Sequence, residues 1–195
     1  MTVKTEEKNN LKSENKFIRC IHDIFEFVEL IAVCLAIILF VYTFFFKHSV
    51  VVGDSMNKTL LSGDHLLTSN FMYTPENGDI IVCQVTDAQQ ESYPRTLTQK
   101  EAIVKRVIAI AGQRIKIESG TVYIDGKAIE ENYTFNQSFE NMDELLVPDG
   151  CVFVMGDNRS NSLDSRYIGV IDERLILGKV ILRIAPFSSF GNVYN

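Results

Sequence analysis

Residues 102–111 read AIVKRVIAIA. Eight of the ten are apolar and five are Ile or Val, the residue types that fit a pleated, half-buried surface. As a strand, this run places Lys105 on one face with Ile103, Val107 and Ala109, and Arg106 on the other. Similar short runs lie on either side of it. Upstream is Gly78–Val85 (GDIIVCQV), opened by a turn. Downstream, Arg114–Glu118 alternates, turns at Ser119-Gly120, and returns as Thr121–Ile124. Asp125-Gly126 is a hairpin signal before Lys127–Ile129. Cys151–Met155 (CVFVM) and Leu175–Ile184 read as two further strands. Asp87–Gln99 and Asn132–Asp149 read as irregular loops. The expectation is an all-β or mostly β domain with no boundary dividing it in two.

The N-terminal region differs in kind. Leu30–Phe46 (LIAVCLAIILFVYTFFF) is 17 residues without a charge. Extended back to Phe25, the run has 22 residues, about 33 Å of helix against a hydrocarbon core of about 30 Å. It is apolar all round, unlike the amphipathic helix of a soluble core. No Ala-x-Ala follows it, so it reads as an uncleaved single transmembrane helix rather than a removable leader. Lys4, Lys8, Lys12, Lys16 and Arg19 precede the span, and only Lys47 and Lys58 follow closely. The excess of basic residues before the span predicts a cytoplasmic N-terminus and an extracytoplasmic domain. The expected division is 1–24 cytoplasmic tail, 25–46 anchor and 47–195 extracytoplasmic domain, with residues 1–16 disordered.

Composition narrows the function. The 195 residues carry a net charge of −6, all of it within residues 48–195. That argues against a nucleic-acid partner. The three histidines form no HExxH and no cysteine pair has CxxC spacing, so a structural zinc site or a histidine metalloprotease is not expected. Cys83 and Cys151 could pair or remain as two buried thiols.

Three polar segments remain. Ser55, in Val52-Gly53-Asp54-Ser55-Met56, follows an apolar run and precedes a turn-rich stretch. A serine nucleophile needs a base, and no histidine has a compelling companion. Lys105 is the other candidate. A free lysine has a pKa of about 10.4, and burial among apolar groups lowers it. An edge-strand lysine that snorkels to water is the plain alternative. The third segment, GDNRSNSLDSR (156–166), is dense in hydrogen-bonding groups. It fails the calcium-loop pattern at Arg159 and Ser162. Ser55-Met56-Asn57-Lys58 spells S-x-x-K, but the S-D-N and K-T-G elements of that class are missing.

Taken in order, the anchor, VVGDSMNKTL (51–60), GDIIVC (78–83), IVKRVIAIAG (103–112) and CVFVMGDNRSNSLDSRYIG (151–169) resemble the type I signal peptidases of the single-anchor, Gram-positive-like kind. The resemblance implies an antiparallel β catalytic domain behind one transmembrane helix. It implies Ser55 as nucleophile and Lys105 as neutral general base. Ser162 would orient the lysine, and Asp157, Arg159, Asp164 and Arg166 would form a polar scaffold with Asp164–Arg166 paired. Val51, Val52, Gly53, Met56, Leu60, Ile103 and Val104 would line the substrate site. The substrate would be the signal peptide of an exported preprotein, cut after a small-x-small site such as Ala-x-Ala. The implied partners are signal peptides, the lipid bilayer and the secretion translocon, with no metal, cofactor or nucleic acid.

Gly53 stands where some relatives place a serine hydroxyl. Lys58 stands where Pro is usual, and Ala111 and Gln113 where Pro and Asp are common. A non-catalytic, membrane-anchored assembly or chaperone homologue for surface proteins is the alternative. Such a protein should have lost Ser55 or Lys105, and both are present.

Overall fold

The computed structural model describes residues 3–85 and 102–194, with side chains at 22 and from 24 onward. The chain forms two units, 1–44 and 45–195. The first is a helix, α1 (Val3–Phe45), within which Ile24–Phe45 is long and apolar enough to cross a membrane. Helix extends back through the segment expected to be disordered. That segment has no Pro or Gly and several Lys and Glu, which favour helix.

The second unit is built on antiparallel strands. In chain order they are β1 (Lys47–Val50), β2 (His65–Ser69), β3 (Ile80–Gln84), β4 (Ala102–Ile110), β5 (Arg114–Glu118) and β6 (Thr121–Ile124). There follow β7 (Lys127–Ala128), β8 (Met142–Leu146), β9 (Cys151–Met155), a short helix α2 (Ser165–Ile168), β10 (Ile171–Asp172) and β11 (Ile176–Ala185). Among the described residues they make a seven-stranded sheet, β1-β2-β11-β3-β4-β9-β10, and a four-stranded sheet, β7-β6-β5-β8.

Burial explains the patterns. β3 is central, with β11 and β4 as neighbours. Ile81 and Cys83 pack into one cluster with Val107, Val154 and Ile171, while Ile80 and Val82 pack into another with Met56, Leu60 and Leu66. A strand covered on both faces reads as a continuous apolar run, as IIVC does. In the hairpins of the smaller sheet, Ser119-Gly120 and Asp125-Gly126 all adopt positive φ, as two-residue primed turns require.

Three differences from the sequence reading have physical causes. The register of β4 against β9 shifts between Val107 and Ala109, a bulge. Ala109 therefore packs with Ile108, Ile115 and Phe153 rather than beside Val107. β8 lies inside a segment read as loop, because MDELL is an exposed edge strand without apolar alternation. β1, β2 and β10 were likewise not anticipated, since they are short, polar or terminal in the sheet. Cys83 and Cys151 are both free thiols, on strands separated by β4. The expected 87–99 loop lies outside the described residues.

Candidate active site

Lys105 sits mid-strand on β4, opposite Ile81 of β3, and is 4% exposed. Among the described residues it has no salt-bridge partner. Its Nζ donates a 2.7 Å hydrogen bond to Ser55 Oγ. Burial is the largest influence on the amine and pushes its pKa down, as does Arg166. Asp164, Cys83 and Asp157 pull the other way without reversing the shift.

Ser55 is held on a turn pinned at both ends. Val51 N–H donates to Asp64 O and Gly63 N–H to Val51 O, both at 2.9 Å. Gly53 takes a left-handed φ of 86°, which glycine adopts without strain. Met56 and Leu60 drive into the core on the far side of the serine. From the opposite direction, Asn158 donates its backbone N–H to Ser55 O at 3.0 Å and its Nδ2 to Asp54 O at 3.1 Å. The Ser55 N–H itself donates to no partner among the described residues.

The 156–166 segment forms a cage around this turn, built from three arginine–carboxylate pairs. Arg106 holds Asp157 through Nε (2.9 Å) and Nη2 (2.7 Å), and Asp157 also accepts from Thr59 Oγ1 at 2.5 Å. Arg166 holds Asp164 through Nε (2.8 Å) and Nη2 (2.9 Å), while Asp164 Oδ2 accepts the Gly156 N–H. Arg159 holds Glu131 through Nη1 (2.7 Å) and Nη2 (2.5 Å) and donates from Nε to Gly156 O. Asp157 and Asp164 are fully buried, so each charge depends on its fork-shaped partner.

A cleft of about 440 Å³ opens beside Ser55 and Lys105. Val51, Val52, Gly53, Met56, Ile103 and Val104 line it, together with Asn161 and Leu163. Leu60 does not reach it. Its side chain is wholly buried behind the serine turn, among Leu66, Val82 and Val180. Ser162 Oγ is buried without a hydrogen-bond partner. It flanks Gly156, where an added Cβ would collide with it and with the Ser55 carbonyl.

Arg106, Thr59, Glu131 and Asn158 were not anticipated as members of this network. Arg106 carried a signal, a charge amid an apolar run. Glu131 carried none. Gln113, where Asp is common, still closes its turn, accepting from Ile110 N–H and Asn77 Nδ2, each at 2.9 Å. The Asn57–Lys58 peptide is cis.

A serine hydroxyl against a buried amine, at the wall of an open cleft on an antiparallel β domain, is an arrangement suited to a peptidase of the serine class. The chain belongs to the signal peptidase family, peptidase S26, whose profile matches residues 24–185. A probable signal peptidase I-1 from Synechocystis is 36% identical over 172 residues, 86% of each chain. Signal peptidase I of Bacillus caldolyticus is 34% identical over 177 residues, 82% of this chain and 90% of its own. A crystal structure of a signal peptidase I from Enterococcus faecalis aligns at 25% identity over 56% of this chain and 98% of that one, with a TM-score of 0.45.

Proposed function

We propose that this chain is a membrane-anchored endopeptidase that removes signal peptides from exported preproteins, with Ser55 and Lys105 as a catalytic dyad. The observation that carries the reading is the 2.7 Å contact between Nζ and Oγ in a site where burial disfavours the ammonium. With the amine neutral, Ser55 O–H donates to the Nζ lone pair. Oγ then attacks the scissile carbonyl carbon as its proton passes to Lys105. The oxyanion is met by the unengaged Ser55 N–H. Lys105 returns the proton to the leaving amine, leaving an acyl ester on Ser55. A water, deprotonated by Lys105, hydrolyses the ester and regenerates the hydroxyl.

The signal peptide lies extended along the cleft between residues 50–56 and the start of β4. Val51, Val52, Met56, Ile103 and Val104 shape its walls for small side chains, which fits Ala-x-Ala-like sites. Ser162 Oγ makes no hydrogen bond to Lys105, so the lysine is held by Ser55 and by its packing, while the pairs of Asp157, Arg159, Asp164 and Arg166 hold the geometry. The 25–46 span keeps the site at the membrane face where signal peptides emerge, raising effective concentration. Residues 1–24 face the cytoplasm and 47–195 the outer side.

The test is cleavage of a preprotein by the full-length chain in detergent or vesicles. Ser55→Ala and Lys105→Ala should each abolish cleavage while the protein still inserts. Full activity in either variant would overturn the dyad.

A further inference from the structure

Phe71 and Met72, on the segment that links β2 to β3, have no part in the cleft or its bracing. Lys47 pairs with Thr68, so the end of β2 lies beside the start of β1, two residues after Phe45. Phe45 closes the 22-residue run that is long and apolar enough to cross a membrane. Its ring meets the Phe71 ring edge-on, with the centroids 4.6 Å apart. Phe71 is still 61% exposed, and Met72 beside it is 87% exposed. Ile181 of β11, also exposed, lines the same hollow of about 350 Å³.

A cluster of large apolar side chains on the surface marks a contact with something apolar. The backbone sharpens the point. Met72 has a φ of 48°, in the left-handed region that glycine or asparagine fills more easily. A strained residue that presents an apolar side chain outward, where nothing in the domain covers it, is a candidate for function. The hollow carries little free charge, because Lys179 Nζ pairs with Asp79 Oδ1 at 2.5 Å, and Glu76 is the other charged residue lining it. What covers the patch follows from Phe45. A bilayer that holds the run ending at Phe45 reaches the ring packed against it, so the neighbouring medium is lipid rather than a second protein.

We propose that the 70–73 segment embeds Phe71 and Met72, with Ile181 beside them, in the headgroup–acyl boundary of the bilayer where the anchor emerges. The proposal rests on the reading of 25–46 as a membrane anchor and adds a second point of attachment to it. One helix alone leaves the domain free to swing about its exit. Two contacts side by side, at Phe45 and at Phe71-Met72, remove most of that freedom. The consequence falls on the cleft through β1, whose four residues span about 13 Å and run directly into residues 50–56 of the cleft wall. The embedded segment therefore fixes the height of that wall above the membrane.

The chain contains no tryptophan, so a single introduced indole reports without background. Full-length Met72→Trp, Phe71→Trp and Phe139→Trp are reconstituted separately in phosphatidylcholine vesicles, with and without bromine on the acyl chains near the headgroups. Phe139 is the control, an exposed aromatic on the segment before β8. Bromine should lower the emission of Met72→Trp and Phe71→Trp about twofold or more, as burial at the acyl boundary requires, and leave Phe139→Trp unchanged. The same quenching should persist when Ser55→Ala is added, because the contact is independent of cleavage. Absent quenching at both 71 and 72, or equal quenching at 139, in chains that float with the vesicles would overturn the segment's contact and leave the anchor standing. Chains that do not float would overturn the anchor reading, and the segment's contact with it.

Discussion

Lys105 and Arg106 are neighbours on β4 that reach the same serine turn from opposite faces of the sheet. Lys105 meets it at Ser55 Oγ, and Arg106 meets it through Asp157, whose other bond is to Thr59. One strand therefore supplies both the amine of the site and the cation that braces the loop opposite it.

The bracing pair gives the first prediction. Asp157 is fully buried and Arg106 nearly so. Removing one partner strands a buried charge, which costs about 3–5 kcal/mol. Asp157→Ala should lower Tm sharply, and the double variant Asp157→Leu/Arg106→Met should recover a large part of the loss. Thermal unfolding of the three chains in the same detergent checks this. Equal Tm for the single and double variants would show that the unpaired charge is not the source of the cost.

The ionisation of Lys105 gives the second. Its folded pKa lies below the unfolded value of about 10.4. Between those two values the unfolded chain binds the extra proton, so stability rises with pH across that window. Below the folded pKa the penalty is constant, at about 1.4 kcal/mol per unit of depression. Lys105→Met removes the charge at similar volume. The variant should be more stable than the parent at neutral pH, with the gain shrinking as pH approaches 10. Activity should follow the same group, falling as pH drops through the folded pKa and the amine becomes protonated. Parallel Tm and kcat/KM profiles over pH measure both. A gain in stability that is flat to pH 10 would count against a depressed lysine.

The third concerns Gly156. Its φ is not left-handed, and the constraint is space, because a Cβ would meet Ser162 Oγ and the Ser55 carbonyl. Accommodating it must push the serine turn away from β4. Displacements near 1 Å in such sites cost about 10²-fold in rate. Gly156→Ala should lose kcat on that scale, whereas Gly150→Ala, whose φ of 70° strains a Cβ that meets nothing within 4 Å, should lose stability but keep kcat. Single-turnover cleavage separates this from a binding defect.

The local signals in the sequence were strong where burial was two-sided or a turn demanded glycine. IIVC, CVFVM and the Asp125-Gly126 hairpin all appear as expected. The edge strands β1 and β8 were not legible, because exposed strands carry little apolar patterning. The bulge at Val107–Ala109 was also hidden, since it depends on the register against β9 rather than on β4 itself. At the site, Ser55 and Lys105 each had an ordinary explanation alone, a turn serine and a snorkelling lysine, and it was their place among the ordered motifs that singled them out. Glu131 did not, because its meaning comes only from where Arg159 places its guanidinium.

Leu60 and Val52 give the last prediction, because the sequence placed both in the substrate site and the structure separates them. Val52 is 85% exposed on the cleft wall, and Leu60 is wholly buried beneath the turn. Leu60→Ala should cost about 2–5 kcal/mol of stability through the cavity it leaves. Its preference among substrates should stay unchanged, because the side chain touches none of them. Val52→Ala removes little buried surface and should leave Tm within a degree or two of the parent. It should instead alter KM, and the ranking of substrates that differ at the small positions before the cut. Cleavage of a matched peptide series by both variants, alongside their Tm values, distinguishes the two roles. A substrate re-ranking in Leu60→Ala with unchanged stability would return Leu60 to the cleft.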